Sequence, residues 1–363
     1  MNWFMRRAAL PFDIVVGAVM GLFGGILVWL WPGRRPESDD RSLVSIAPGA
    51  SIDVAKEKYG DRFAAIFYED GMGGYFRRVL RYHYPMPRQR QTIRLREAGT
   101  GTEYEIADRR PPMGFLYATG MVLLILEVAW RAKRCGASVI RGRDPFLHGL
   151  MAWAASRISG APFVISIHTD YEHLFRTDAR HAPKIPGGLP SVYWLAGFVY
   201  RRAKAVLPIR ESIGEWPKRM GVPAGRIRVI PHGVDLAPYR SGPQRSREEL
   251  GLAAGGPLIV SVGRIAADNY FHHLPPIVRT VTESHPAAIF VAVGPGWDLE
   301  RLREETDRMG LGGRLKWPGE LPHDVVLDLW KRASIALVMK GGYSLIEAAA
   351  SGRPVVSYDI EWH

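Results

Sequence analysis

The chain is poor in the residues that staple or metallate a protein. Its 363 residues include one cysteine, Cys135. A single thiol excludes an internal disulfide and any multi-cysteine zinc site, and it fits a reducing compartment. Cys135 stands in RAKRCGASVI, at an expected helix end before a strand, where a small buried residue is read in preference to a nucleophile. No GxGxxG follows the first expected strand, which argues against a dehydrogenase. Acid is missing from Phe76–Arg96, FRRVLRYHYPMPRQRQTIRLR, which carries seven arginines. Over the whole chain 48 Lys and Arg face 36 Asp and Glu, a net charge of +12 and a pI of about 9.9. That excess suggests an anionic partner. Nucleic acid is not expected, because there is no RNP-type aromatic run and no helix-turn-helix pattern. The 76–96 stretch reads either as a solvated basic face or as a contact for anionic lipid headgroups or an acidic acceptor. Beside an apolar amino terminus, the membrane surface is preferred.

Long apolar runs are present. Ile14–Trp31, IVVGAVMGLFGGILVWLW, has 18 residues without a charge, close to the thickness of a bilayer's hydrocarbon core. Tryptophans near both ends suit the interfaces, and Pro32-Gly33 stops the helix. Residues 1–33 therefore read as a membrane anchor. A cleaved signal peptide is the main rival, although no small-residue cleavage site follows; an apolar hairpin or an interfacial helix is a further alternative, because four glycines weaken the helix. Residues 34–41 read as a charged linker. A second apolar run, Met113–Trp130, is followed by RAKR and is read as a buried helix rather than a second span.

From Ser42 onward strand and helix patterns alternate, which predicts α/β architecture with parallel sheets. Strands are expected in SLVSIA, RFAAIFYE, ASVIRG, APFVISIH, AVLPIR and RIRVIPHGVD. LAPYRSGPQRSREELGLAAGG, residues 236–256, is polar and rich in Gly, Pro and Arg, and reads as a linker with one short helix. A second α/β series starts at Pro257 and reaches KGGYSLIEAAASGRPVV, residues 340–356. There Gly341-Gly342 make a turn, Ser344 is a candidate N-cap with Glu347 at capping-box spacing, and a buried strand follows Gly352. The unit reads either as an ordinary loop-helix-strand or as a phosphate site at a helix N-terminus.

The motifs IPHGVD (230–235), VGRI (262–265), VGPGWDLERL (293–302), LKWPGELPHD (315–324) and GGYSLIEAAASGRPVV (341–356), in this order, resemble the retaining "group 1" or family 4 glycosyltransferases of the GT-B fold. The resemblance covers most of Ser42–His363. It implies two Rossmann-like domains: an acceptor domain over 42–236 and, after a linker at 237–256, a donor domain over 257–363 that stops short of the family's usual length. It implies transfer of a hexose from a UDP- or GDP-linked nucleotide sugar to a glycan or lipid-linked acceptor in cell-envelope or exopolysaccharide synthesis. The expected location is the cytoplasmic membrane, with residues 14–31 and 76–96 on the lipid and the catalytic domains in the cytoplasm. By the same resemblance Gly263, Arg264, Gly294, Lys340, Ser344, Leu345 and Glu347 face the donor, Arg264 on the phosphates and Glu347 on the ribose. The chemistry suits them, since a diphosphate leaving group needs positive charge and a carboxylate accepts two hydroxyl hydrogen bonds. His168 is a candidate catalytic residue near the transferred sugar. Arg143, with Asp144 beside it, and Asp170 are acceptor-side candidates.

The chain also departs from that family. GR-x-x-x-x-K-G becomes GRIAADNY, so Asn269 and Tyr270 replace Lys-Gly, and Met339 stands eight residues before Glu347 where a glutamate is usual. Lys340 is the candidate for the missing positive charge. No DxD-like pair marks a donor site, so no essential metal and no cofactor beyond the nucleotide sugar is expected, and no paired carboxylates suggest double displacement. The alternative reading is a non-catalytic glycosyltransferase-like binding subunit.

Overall fold

The computed structural model describes residues 3–33, 41–49, 51–59, 64, 67–68, 74–86, 90–111, 117–177, 183, 185, 187–253 and 255–359, with side chains from Asp13 onward apart from Lys58 and Tyr59. The expected linker at 34–41 lies outside them except for Arg41. The chain divides into two compact units, Met1–Pro231 and His232–His363.

The described strands of the first unit are β1 (Ser42–Ala47), β2 (Arg78–His83), β3 (Gln91–Arg96), β4 (Glu103–Asp108), β5 (Val139–Gly142), β6 (Phe163–Ile167) and β7 (Ala205–Pro208). They form one sheet in the order β3-β4-β2-β1-β5-β6-β7, parallel throughout except for β3 against β4. Every residue of β1 is buried, as a central strand covered on both faces requires. The helices are α1 (Trp3–Leu30), α2 (Ile52–Tyr59), α3 (Tyr117–Cys135), α4 (Leu147–Ser159), α5 (Tyr171–Thr177), α6 (Gly188–Arg202) and α7 (Glu211–Arg219). Residues of α3, α4 and α6 pack with one face of the sheet around Leu124, Val128, Met151, Ile165 and Tyr200. Ile52 and Ala55 of α2 pack with Val79, Tyr104 and Ile106 on the other.

Two strand assignments made from sequence change. The described residues of RFAAIFYE are not extended, and the second strand is Arg78–His83, inside the basic stretch. There Val79, Leu80 and Tyr82 are buried between half-buried Arg78 and Arg81, so apolar periodicity was hidden under charge. Residues 227–231 form no strand either. They follow the edge of β7 through Arg228 N–H to Val206 O (3.0 Å) and Ile230 N–H to Pro208 O (2.9 Å), and leave Val229 and Ile230 exposed.

From Tyr117 onward the second apolar run is a helix packed on the sheet, as expected, and Cys135 closes it, buried. The first run, apart from Trp31, lies within α1, which is long and apolar enough to cross a membrane by length and composition. One face of α1 is packed along α3. Cβ atoms added at Gly17, Gly21 and Gly24 would meet Ala118 at 3.5 Å, Val122 at 3.3 Å and Leu126 at 2.5 Å, so hydrogen side chains set this close approach. At the start of the seam the buried Asp13 carboxylate accepts from the N–H groups of Ala118 and Thr119, both at 2.9 Å, and from the Thr119 hydroxyl at 2.6 Å. A carboxylate on the first N–H groups of α3 is favoured by the helix dipole as well. At the other end Lys133 Nζ donates to the carbonyls of Val28 (3.0 Å), Trp29 (2.6 Å) and Trp31 (3.1 Å).

The second unit has β8 (Leu258–Val262), β9 (Ile289–Val293), β10 (Leu315–Gly319), β11 (Ile335–Leu337) and β12 (Val355–Val356), ordered β10-β9-β8-β11-β12 and all parallel among the described residues. Its helices are α8 (Ala237–Arg240), α9 (Leu274–Ser284), α10 (Leu299–Arg308), α11 (His323–Arg332) and α12 (Tyr343–Ala350). β12, expected to be buried, is a two-residue edge with Val356 half exposed. The segment read as a linker is held on this unit at Gln244 and Arg245. Buried Asp328 accepts from the N–H groups of Gln244 (2.9 Å) and Arg245 (3.2 Å) and from the Arg245 guanidinium (2.9 Å). Burial alone would raise the Asp328 pKa, but these hydrogen bonds hold it below the usual carboxylate range.

Candidate functional site

In parallel sheets ligands meet the carboxyl ends of the strands, and the sequence candidates of each unit lie there. In the second unit β8 ends at Val262 and passes into Gly263 and Arg264, while β9 ends at Val293 and passes into Gly294. Gly263 N–H donates to Val293 O (2.9 Å) and Gly294 N–H to Gly319 O (2.8 Å), which ties three strand ends together. Gly294 has a φ of 144°, and a Cβ there would lie 1.9 Å from Gly263 O. Only glycine fits both demands.

Arg264 and Lys340 converge on one carboxylate. Asp268 Oδ2 accepts from Arg264 Nη2 and from Lys340 Nζ at 3.4 Å. The Arg264 guanidinium also lies over the Trp297 ring, 4.6 Å from its centre. Two cations sharing one acid leave net positive charge at the turn. A cavity of about 130 Å³ opens there, lined by Gly263, Arg264, Asn269, Met339, Lys340 and Ser344. It has room for a phosphate group. The two departures from the family pattern are structurally absorbed. The Asn269 amide donates to Arg264 O (2.8 Å), and Met339 is buried in the core beside Leu274 and Phe290. Tyr270 takes a φ of 62°, the left-handed region that a glycine would occupy more cheaply.

The cavity borders the amino end of α12. The N-cap there is Gly342, at φ 110°, with no side-chain cap, so Ser344 sits inside the first turn and the expected capping box does not form. The physical reason is the Glu347 carboxylate, which is engaged elsewhere. Glu347 is 6% exposed, and its Oε1 accepts from His323 Nε2 (2.7 Å) and from the Tyr239 hydroxyl (3.3 Å). Burial, and then the neighbouring Glu347 charge, push the Tyr239 pKa up. His232 of the HGVD segment stands edge-on to Tyr343 in the same helix turn, with ring centres 6.3 Å apart. The donor-side residues expected from sequence, Leu345 included, therefore fall on adjoining strand ends and one helix. His323, Tyr239, Asp268 and Trp297 were missed. All four lie within or beside the quoted motifs, but pairing across 24 or 108 residues has no local signature.

In the first unit His168 follows β6, half buried, and Arg143 follows β5, its N–H donating to Ile46 O (3.1 Å). Asp170 caps α5 through His173 N–H (2.9 Å). Asp144, offered beside Arg143 as an acceptor contact, is committed to structure instead. Its Oδ1 accepts from Phe146 N–H (2.8 Å) at the start of α4, and Oδ2 pairs with His148 Nδ1. His148 Nε2 lies 2.7 Å from Tyr84 O. Both ring nitrogens thus face acceptors, which requires the imidazolium. Burial lowers the His148 pKa, but the Asp144 charge and hydrogen bond, with Tyr84 O, outweigh it and raise the value. A raised folded pKa contributes stability that is complete below the unfolded histidine pKa of about 6.5 and is lost as pH rises through the folded value. Urea unfolding of the wild type is therefore expected to lose stability from about pH 6.5 upward, and His148→Gln to flatten that slope; equal slopes would refute the ion pair.

A second buried pair, His83 with Asp108 (2.9 Å), closes the ends of β2 and β4. Burial raises the Asp108 pKa, but hydrogen bonds from His83, Ile52 N–H and Gln91 bring it below the ordinary range. Among the described residues no group of three or more His, Cys, Asp or Glu is placed to hold a metal ion.

Comparison with known proteins follows the two units. The family described as Glycosyltransferase Family 4 matches residues 75–238, and the family described as Glycosyl transferases group 1 matches residues 243–362. A 2-deoxystreptamine N-acetyl-D-glucosaminyltransferase of Streptomyces fradiae is 27% identical over 219 residues, 56% of this chain and 50% of that protein. A D-inositol 3-phosphate glycosyltransferase of Nocardia farcinica is 31% identical over 39% of this chain and 34% of its own. The chain thus spans half the length of the first of these curated relatives and about a third of the second. Among solved structures, Anabaena HepE in complex with UDP superposes with a TM-score of 0.61 at 17% identity, covering 89% of this chain and 81% of that one. Sucrose-phosphate synthase of Thermosynechococcus elongatus gives 0.61 at 17% identity, covering 88% and 82%. At that identity the likeness speaks to the fold.

Proposed function

We propose that this chain, which belongs to the group 1 glycosyltransferases of the GT-B fold, moves a hexose from a UDP- or GDP-linked sugar to a hydroxyl-rich acceptor with retention of configuration. The observation that carries the reading is the convergence of Arg264 and Lys340 on Asp268 beside the Gly263–Gly294 turn and the start of α12. A departing diphosphate displaces Asp268 from the two cations and takes its place, and the first N–H groups of α12 add to the anion's field. Lys340 supplies the charge that Asn269 cannot. Glu347 exchanges its His323 and Tyr239 partners for ribose hydroxyls. No step in this scheme calls for a metal, because arginine, lysine and backbone donors neutralise the leaving group. His168 and Arg143 are the sugar- and acceptor-side candidates of the first unit.

The acceptor we infer is a glycan or lipid-linked glycan at the cytoplasmic membrane face, in envelope or exopolysaccharide synthesis. The relatives' names carry 2-deoxystreptamine and D-inositol 3-phosphate, both cyclitols, so cyclitol acceptors belong in the same screen. The test is nucleoside diphosphate release by the full chain from a panel of UDP- and GDP-sugars. One donor is expected to turn over, and Arg264→Ala to lower its kcat/KM at least about tenfold, the scale of one charge-assisted contact. Calorimetric binding of a donor without turnover favours a non-catalytic binding subunit, a reading to which Asn269 and Met339 lend support. Neither binding nor turnover sinks both.

A further inference from the structure

The outer face of α1 is apolar and covered by nothing among the described residues. Phe23 is 65% exposed, Leu27 69% and Trp29 65%, and Ile14, Val15 and Leu22 share the exposure. A contiguous apolar face of this length on a soluble surface marks an interaction site. Its direction is set by α3. The two helices run side by side, closed by Gly17, Gly21 and Gly24 and pinned at both ends by Asp13 and Lys133. The opposite side of α3 is in the core of the sheet through Leu124, Val128 and Ala132. To cross a bilayer, α1 would have to carry α3 with it, and α3 bears Glu127, Arg131, Lys133 and Arg134. Otherwise α1 would have to abandon the Asp13 and Lys133 contacts. Either course is costly.

Next to the last turns of α3 is a concavity of about 710 Å³, lined by Arg78, Arg94, Arg96, Arg131 and Arg134 and by two acids, Glu103 and Glu105. It opens on the α3 side of the sheet, because Leu80 of its lining belongs to the α3-facing core. The acids take up part of the charge: Glu105 pairs with Arg94 (3.3 Å) and with Arg131, and Glu103 with Arg78 (3.8 Å). Arg134 lies over Trp130, 5.1 Å from the ring centre, beside the Lys133 that holds the end of α1. An apolar helix face and an arginine-lined hollow therefore look out from one side of one unit.

We propose that this side is a monotopic docking surface for an anionic phospholipid leaflet. α1 lies in the plane of the interface while still seated on α3, and the arginine hollow receives a lipid headgroup phosphate. The charge complementarity of the hollow and the amphipathic placement of α1 select a membrane over a second copy of the chain. The surface is independent of the donor site, so its test stands apart from glycosyl transfer.

The experiment uses the full chain and two sets of vesicles, phosphatidylcholine alone and phosphatidylcholine with phosphatidylglycerol. The wild type is expected to float with both and to bind the anionic set at least about tenfold more tightly. The triple variant Arg94→Gln/Arg96→Gln/Arg134→Gln is expected to lose that preference and keep the neutral binding. An unchanged preference overturns the headgroup assignment. For the orientation, Gly21→Cys with Val122→Cys places two thiols across the seam, where an added Cβ at Gly21 lies 3.3 Å from Val122 Cγ1. Oxidation locks α1 onto α3. The locked and reduced forms, matched for thermal stability, are expected to bind vesicles equally. If locking abolishes binding, α1 leaves α3 to insert and the in-plane reading is wrong. Failure of the wild type to bind either vesicle, with a dimer in solution, assigns the face to a second copy and overturns the proposal.

Discussion

Glu347→Gln will lower kcat/KM for the nucleotide sugar by on the order of a hundredfold, and most of the loss will lie in donor affinity. The carboxylate is buried at the second turn of α12 and is already held by two donors, His323 and Tyr239. Two hydrogen-bond donors already meet this carboxylate, and the proposed ribose contact would present two in their place. Each hydrogen bond to an ionised group contributes about 1.5–3 kcal/mol. Glutamine keeps one acceptor oxygen but turns a donor toward a hydroxyl, so about 3 kcal/mol is lost, close to a hundredfold. The ribose does not react, so its contacts act on ground state and transition state alike, and KM moves more than kcat. Binding of free nucleoside diphosphate should weaken in parallel. Should that affinity be unchanged, Glu347 serves only to hold His323, and the ribose assignment falls. Tyr239→Phe, which removes a 3.3 Å contact and leaves the charge in place, is expected to have a much smaller effect.

Gly294→Ala will destabilise the second unit by about 3–5 kcal/mol, combining backbone strain with a forced shift of packed atoms. The new methyl would lie 1.9 Å from Gly263 O, and the φ of 144° is one that L-residues rarely adopt and that strains any side chain. Backbone cannot rotate out of the way as a side chain can. The strand ends of β8 and β9 must separate, taking Arg264 with them, so donor binding is lost together with stability. With a total of about 5–15 kcal/mol for a typical domain, this is a large fraction. Urea unfolding of the full chain measures it. Gly310→Ala is the control, at a φ of 70° with no atom within 4 Å of the added methyl; it is expected to cost about 1 kcal/mol. Equal costs at the two positions would refute the close approach of the two turns.

Much of the fold is legible in the sequence. Alternating apolar runs and turn residues give two parallel α/β series, and the quoted motifs locate the strand ends of the second. Legibility failed where charge or distance hid the signal. β2 lay unseen under Arg78 and Arg81, because an arginine stem can flank a buried strand while its head reaches solvent. Ser344 looked like a cap because its spacing to Glu347 is right, yet the carboxylate turns to His323. Asp144 looked like an acceptor contact and instead accepts from Phe146 N–H ahead of α4 and pairs with His148.

What the sequence determined by itself is local: the alternation of most strands and helices, that residues 14–31 are apolar, and that Glu347 lies on a helix after a glycine turn. These follow from propensities and periodicities acting over a few residues. Tertiary structure alone decided which charges meet. Arg264 and Lys340 share Asp268, Glu347 is held by His323 and Tyr239, and α1 is seated on α3 by Asp13 and Lys133. Those pairings span up to 108 residues of chain. The physical reason is that a side chain's partner is set by where the sheet order brings strand ends together, and no periodicity in the sequence encodes that order.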